Sequence, residues 1–209
     1  MDGIAVFLTV SAAISLGAMS PGPSFIVVAR TAISSSRGRG VLAALGMGVG
    51  GSVFALAALL GLQLVLTAVP SVYRALQVAG AAYLLFIAYR LWVAAPSPLD
   101  IAERKAAGER SARQAFLLGL GTQLSNPKAA IVYASVFSAA LPREASWAMA
   151  AILVPIVFLI EFGWYTLVAV AFSTGRARQI YFRGKTWIDR LAAGAMGALG
   201  LKILSDVRA

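Results

Sequence analysis

The sequence predicts an all-α integral membrane bundle of six transmembrane helices. Of its 209 residues, 60% are hydrophobic and only 12% are charged, which is far from the balance of a soluble domain. Apolar stretches of roughly 20 residues, the length that a helix needs to cross a bilayer, recur along almost the whole chain. These stretches are too long and too continuously apolar for the strands of a membrane barrel. A single transmembrane domain over residues 1–209 is therefore expected.

Short connections separate the six predicted spans. The longest connection, about residues 95–113, is polar and divides the chain into a first repeat, about 1–94, and a second, about 114–209. A second polar connection, STGRARQIYFRGKTW, separates the fifth and sixth spans. The N-terminal stretch has Asp2 where a secretory signal would be positive, so it is expected to be retained. The predicted spans are about 4–33, 41–69, 71–94, 114–141, 147–172 and 187–204.

The basic residues predict how the bundle is oriented. The chain carries a net charge of +10, but its Lys and Arg residues lie in short loops between apolar stretches, which favours inner-face loops over nucleic-acid binding. Of the 18 Lys and Arg residues, 13 fall in or beside the first, third and fifth connections. This bias predicts an inner-membrane protein with both termini on the periplasmic side. The basic loops are also expected to contact anionic lipid headgroups.

The composition excludes most catalytic chemistry. The chain has no Cys and no His, which removes disulfides, thiol and imidazole chemistry and the usual transition-metal ligands. Neither a cofactor nor a metal is predicted, and the protein is not expected to be an enzyme.

Two proline-containing breaks interrupt apolar stretches. MSPGPSF, residues 19–25, lies in the first span, and SNPK, residues 125–128, lies in the fourth. When Pro127 is placed over Pro23, the apolar sequences that follow also align, and further similarities continue through the later spans. Because each unit has three spans, the second must enter the membrane from the opposite side. The pattern therefore predicts two inverted three-helix repeats, with the first and fourth helices broken at PGP and NPK.

The two breaks predict a central substrate site. A proline inside a helix costs about 3 kcal/mol, and the freed carbonyls survive in lipid only where protein or a water-lined cavity takes over their hydrogen bonds. Exposed helix ends of opposite polarity would suit a zwitterion. The alternative is that these prolines are kinks that improve helix packing. The predicted substrate-binding residues are Pro21, Gly22, Pro23, Ser24, Gln123, Asn126, Pro127 and Lys128.

Lys128 and Glu161 are the two ionisable residues deep within predicted spans. Each costs about 2.5 to 3.5 kcal/mol at a helix centre on insertion scales, so a shared polar cavity is favoured over two lipid-facing charges. Counted from the turn at Pro142, the two lie at one depth. Glu161 is the predicted proton-coupling residue, whereas Lys128 meets a substrate carboxylate or balances Glu161. A static ion pair, or a lysine that reaches an interface, is the structural alternative.

Three blocks resemble the LysE/RhtB family of amino-acid exporters. They are MSPGPSFIVVARTAISSSRGRGVLAALGMGVGG, VAGAAYLLFIAYRLW and GLGTQLSNPKAAIVYASVFSAALP, and the similarity covers nearly the whole chain. The resemblance implies bacterial inner-membrane efflux of amino acids or related small metabolites, driven by the proton motive force. It also implies that the PGP and NPK residues occupy the family's signature positions. IEFGWY is similar to the acidic residue and following Trp of many members, which supports Glu161. The chain departs from many members after PGP, where it has Ser24 and Phe25.

Proton-coupled export of an amino acid by antiport is the leading hypothesis. The alternatives are a membrane enzyme, for which no nucleophile and base pair is visible, and a passive channel or scaffold. The sequence leaves open the exported metabolite, the coupling stoichiometry and the oligomeric state, a homo-oligomer included.

Overall fold

Helices make up almost all of the described chain. The computed structural model describes residues 3–68, 70–97, 111–140 and 147–208, and these segments contain no strand. The helices are α1 Gly3–Met19, α2 Pro23–Ser34, α3 Arg37–Ala68, α4 Pro70–Ala94, α5 Ala112–Leu124, α6 Pro127–Ala140, α7 Trp147–Phe172 and α8 Gly175–Arg208. Most of the predicted long connection and the turn at Pro142 lie outside the described residues.

The helices are interrupted at both proline-containing motifs. The chain bends by 56° between α1 and α2, and Pro23 is the first residue of α2. In the fourth predicted span, α5 ends at Leu124 and α6 begins at Pro127. Proline is favoured at a first helical position because its missing N–H would lack an intrahelical partner there in any case. Each proline thus starts a new helix instead of distorting the middle of an existing one.

Length and composition support only some of the six predicted spans. Among the described residues, two helical stretches are long and apolar enough to cross a membrane, Arg37–Gly61 and Trp147–Phe172. The bent pair formed by Ile4–Met19 and Pro23–Ser34 passes as a third. The apolar part of α4, Val78–Ala94, is shorter. The all-helical membrane-type fold is confirmed, whereas six spans and an inverted repeat stay predictions.

The predicted connection between the fifth and sixth spans is wrong for most of its length. Only Ser173 and Thr174 separate α7 from α8, which begins at Gly175. Packing against the end of α4 stabilises this polar stretch as a helix: Lys185 Nζ donates to the carbonyl of Ala95 at 3.1 Å. Lys185 also pairs with Asp189 at 2.7 Å, one turn further along α8. Both charges are buried, so the polar sequence continues a packed helix instead of forming a solvated loop.

The helix α3 holds the bundle together. It packs along α7 and α5 and contacts α2 and α6, while α4 packs along α8. Its crossing with α5 is a backbone contact, because a Cβ on Gly46 would clash with the Phe116 carbonyl and one on Gly119 would clash with the Ala43 carbonyl. The buried apolar side chains of the described residues form two large clusters and one small one, and the two large ones each contain a tyrosine of interest. One contains Tyr133 and the other contains Tyr165.

Large apolar side chains cover the outside of the bundle. Leu159 on α7 is 64% exposed, and Leu8 and Leu201 are exposed to a similar degree. Trp147, at the start of α7, is 71% exposed, and Trp187 is also exposed. An exterior of this kind fits a bilayer, and exposed Trp residues near helix ends are typical of membrane interfaces.

Candidate functional site

A small polar cavity lies between the two helix breaks. Its volume is about 30 Å³. A cavity needs about 10–15 Å³ to hold one water molecule, so this space suits water but is too small for an amino acid. It is lined by Ile14, Gly17, Ala18, Ser20, Gly22, Ser24, Gln123, Asn126, Lys128, Ala129, Val132, Tyr133, Glu161 and Tyr165. Residues from both breaks and from α7 therefore surround one space.

Ser24 joins the two breaks directly. Its hydroxyl donates to Gln123 Oε1 at 2.7 Å and accepts from Asn126 Nδ2 at 3.0 Å. Ser24 lies at the start of α2, whereas Gln123 and Asn126 lie on either side of the break between α5 and α6. All three side chains are buried. This short hydrogen-bond chain holds the two broken helices together at the cavity wall.

Lys128 donates its ammonium hydrogens to the carboxyl end of α1. Its Nζ lies 2.6 Å from Ser20 Oγ, 3.1 Å from the Ser20 carbonyl and 3.5 Å from the Gly17 carbonyl. The last carbonyls of a helix lack intrahelical donors and form the negative end of its dipole, so a cation is favoured there. The break at PGP thus creates an acceptor site that a residue of the other break occupies.

The two helices that begin at the breaks have different N-termini. In α6, Asn126 Oδ1 accepts from the backbone N–H of Lys128 at 3.0 Å, which caps that end. In α2, Gly22 is the N-cap residue and no side chain caps it. The Lys128 side chain lies beside this uncapped end: a Cβ added at Gly22 would be 3.9 Å from Lys128 Nζ. An uncapped helix N-terminus beside an ammonium group favours an anion.

Glu161 lies on α7 at another part of the cavity wall. It is 3% exposed, and its Oε1 accepts a hydrogen bond from the Tyr133 hydroxyl at 2.9 Å. Its Oε2 has no hydrogen-bond partner among the described residues. The backbone of α3 packs directly against this hydrogen-bonded pair. A Cβ added at Gly51 would lie 2.8 Å from Tyr133 Oη and 2.9 Å from Glu161 Cγ. A side chain at position 51 would displace this pair.

The structure brings most of the predicted residues together, but not all of them. Pro21, Pro23 and Pro127 are not part of the cavity lining; they lie at the helix breaks, where they set the backbone. Ser125, between the two halves of the fourth predicted span, is exposed and does not line the cavity. The predicted cavity residues that do line the space are Ser20, Gly22, Ser24, Gln123, Asn126, Lys128 and Glu161.

Lys128 and Glu161 share the cavity without forming an ion pair. Within the described residues, Lys128 is held by α1 and Glu161 by Tyr133. Tyr133 is the functional candidate that sequence reasoning missed. The sequence does indicate this position, because Tyr133 follows Asn126 by seven residues. Seven residues are about two helical turns, so the two side chains lie on the same side of α6.

Broken helices that enclose a charged cavity inside an apolar bundle are typical of transporters. The chain belongs to the LysE type translocator family, whose model matches residues 15–207. This confirms the resemblance found in the sequence and indicates a transporter rather than an enzyme.

Curated relatives cover nearly the whole chain. A threonine efflux protein of Salmonella typhi is 33% identical over 200 residues, which are 95% of this chain and 97% of the relative. A threonine efflux protein of Escherichia coli strain K12 is 32% identical over 212 residues, with the same coverage of each chain. A leucine efflux protein of Klebsiella pneumoniae is 29% identical over 56% of this chain and 54% of its own length. No solved structure matches the chain.

Proposed function

We propose that this protein exports an amino acid from the cytoplasm across the bacterial inner membrane by exchange for protons. Its family is that of a translocator, and relatives covering nearly the whole chain are named threonine efflux proteins. The cavity supports the same function, because it presents an anion-binding group and a carboxylate to one small buried space. These groups complement the two charges of an amino-acid backbone.

The substrate carboxylate binds at the N-terminus of α2. That helix end has no side-chain cap, and the Lys128 ammonium group lies against Gly22. A carboxylate placed there replaces part of the Lys128 contact with α1 and accepts hydrogen bonds from backbone N–H groups. The hydrogen bonds that join Ser24 to Gln123 and Asn126 hold the two breaks in place while the substrate binds.

The substrate ammonium group binds at Glu161. Oε2 of Glu161 is buried and has no described partner, while Tyr133 holds Oε1. A buried carboxylate needs a countercharge or a proton, because an isolated charge in an apolar interior is strongly disfavoured. Substrate and proton therefore compete for one group. Competition of this kind couples export of the amino acid to entry of a proton.

Transport requires the cavity to open and enlarge. At about 30 Å³ the cavity has room for water but not for an amino acid. The proposed repeats, α1–α4 and α5–α8, each contribute one broken helix, and rocking of one repeat against the other exposes the cavity to each side in turn. The first and third connections and the basic start of α8 lie on the cytoplasmic side, and both termini are periplasmic.

The observation that carries the proposal is that Lys128 and Glu161 line one buried cavity without pairing with each other. Two charges that share a cavity without pairing can each bind the opposite charge of a ligand. The test uses proteoliposomes loaded with labelled threonine or leucine, with and without an imposed pH gradient. The native protein is expected to release label faster with an inward proton gradient, whereas Glu161→Gln loses this stimulation. Equal stimulation of both proteins would rule out Glu161 as the coupling group.

A further inference from the structure

An apolar groove adjoins the polar cavity. It has a volume of about 250 Å³ and lies between α1, α4, α6 and α8. Its lining includes Leu16, Leu84, Val132, Val136, Met196 and Leu199, and none of the described residues that line it is charged. The groove is much larger than the polar cavity, and it can hold a branched hydrocarbon group.

Side chains, not backbone, separate the groove from the cavity. Val132 lines both spaces, Gly17 lines only the cavity, and Met196 lines only the groove. Gly17 has no side chain to fill the gap: a Cβ there would lie 3.4 Å from Val132 Cγ1 and 3.7 Å from Met196 Cε. The two spaces therefore adjoin where the side chains of Val132 and Met196 pack beside Gly17, and enlargement of the cavity at this point would join them.

The proposed function places the two charged groups of the substrate in the polar cavity, whose volume of about 30 Å³ leaves no room for a side chain. Gln123, Glu161 and the Lys128 ammonium group bound the cavity elsewhere, so an apolar side chain placed toward them would oppose buried polar groups. The wall at Val132 is apolar and has space behind it. An aliphatic side chain placed in this direction displaces no polar contact and reaches the groove.

We propose that this groove receives the side chain of the exported amino acid, and that the protein selects uncharged, aliphatic side chains of about the size of valine or leucine. The inference rests on the proposed export function and specifies its substrate class. Charged side chains are excluded because the groove offers no partner for them. One methylene group in an apolar pocket changes selectivity by roughly 10- to 200-fold, so the lining sets the preferred length.

The test is competition among amino acids in proteoliposomes containing the full chain. Efflux of labelled leucine, valine, alanine, lysine and glutamate is measured for the native protein, Val132→Phe, Val132→Ala and Met196→Ala. The native protein is expected to prefer leucine or valine over lysine and glutamate by tenfold or more. Val132→Phe is expected to lower the leucine-to-alanine ratio at least tenfold, whereas the two alanine variants raise the preference for larger side chains.

A matched control comes from the same apolar cluster. Val157 is fully buried in α7 and lines neither space, so Val157→Ala creates a similar loss of packing without altering the groove. It is expected to leave the leucine-to-alanine ratio unchanged. Met196→Ala keeps the test informative should Val132→Phe fail to fold, because Met196 does not line the polar cavity.

The outcomes separate the two proposals. If the native protein exports lysine or glutamate as well as leucine, export stands and the side-chain assignment is overturned. The assignment also fails if each variant changes the efflux rates of all the amino acids by the same factor. That result is expected if a lipid acyl chain fills the groove. If no amino acid is exported at all, the proposed function itself is wrong.

Discussion

Tyr133 and Glu161 share a hydrogen bond of 2.9 Å that connects α6 to α7 at the centre of the bundle. The tyrosine holds one carboxylate oxygen and leaves the other facing the cavity without a described partner. A carboxylate held in this way has a fixed orientation. Under the proposed function, this pair accepts and releases a proton or the ammonium group of the substrate.

Tyr133→Phe is expected to lower export about tenfold while preserving the fold. The ring still packs in its apolar cluster, but a hydrogen bond to a charged group, worth about 1.5–3 kcal/mol, is lost. Efflux from proteoliposomes with and without a pH gradient measures the effect, and the stimulation by the gradient should fall. Tyr89→Phe, at an exposed tyrosine of α4, is the control and should behave as the native protein. Full gradient stimulation in Tyr133→Phe would show that Tyr133 does not position Glu161.

Gly51→Ala is expected to abolish export without unfolding α3. The added methyl group would lie 2.8 Å from Tyr133 Oη and 2.9 Å from Glu161 Cγ, so the hydrogen-bonded pair must shift. Alanine also favours a helix by about 1 kcal/mol over glycine, which opposes unfolding of α3 itself. Gly61→Ala, on the same helix with open space around it, is the matched control and should export normally. Circular dichroism checks that both variants keep their helix content, and normal export by Gly51→Ala would contradict the close packing.

Lys128→Met is expected to destabilise the protein and to weaken substrate binding. It leaves the Ser20 and Gly17 carbonyls without their donor, and an unsatisfied buried polar group costs about 1–3 kcal/mol. Thermal unfolding in detergent measures the first effect and the concentration dependence of efflux measures the second. Lys202→Met, at an exposed position of α8, removes the same charge and should change neither. A lower melting temperature with unchanged substrate affinity would restrict Lys128 to a structural role.

Pro23→Ala and Pro127→Ala are each expected to impair export. Both prolines begin a helix just after a break, and alanine at either position restores the donor that lets the preceding helix continue. Continuation of the helix would withdraw backbone groups from the cavity. Pro155→Ala is the control, because Pro155 lies inside the uninterrupted helix α7. If all three variants export equally well, the breaks serve packing and not binding.

Local sequence rules predicted the helix breaks well because proline acts on its own backbone. The interruption at PGP and at NPK follows from the missing N–H and the steric clash of each ring, whatever the rest of the chain does. The presence of Lys128 and Glu161 in one cavity was also predictable, since lipid strongly disfavours both charges. These constraints are local or depend only on burial.

Features that depend on side-chain partners were not predictable in this way. The sequence gives no sign that Lys128 reaches Ser20 on α1 and not Glu161, because that choice depends on how two breaks face each other. The start of α8 was misplaced for the same reason. Its polar residues predict a solvated connection, but in the structure Lys185 and Thr186 donate to the carbonyl of Ala95, directly after α4.

The contact between Gly46 and Gly119 has a mechanical consequence. Two main chains that touch without intervening side chains cannot adjust to one another by rotamer changes, and any separation there would leave a gap that no side chain can fill. We therefore expect the crossing of α3 with α5 to stay fixed while the other helices move around it. We expect the backbone to move least beside this crossing and most at the far ends of α1 and α8. The movement of a residue during turnover should therefore increase with its distance from these two glycines.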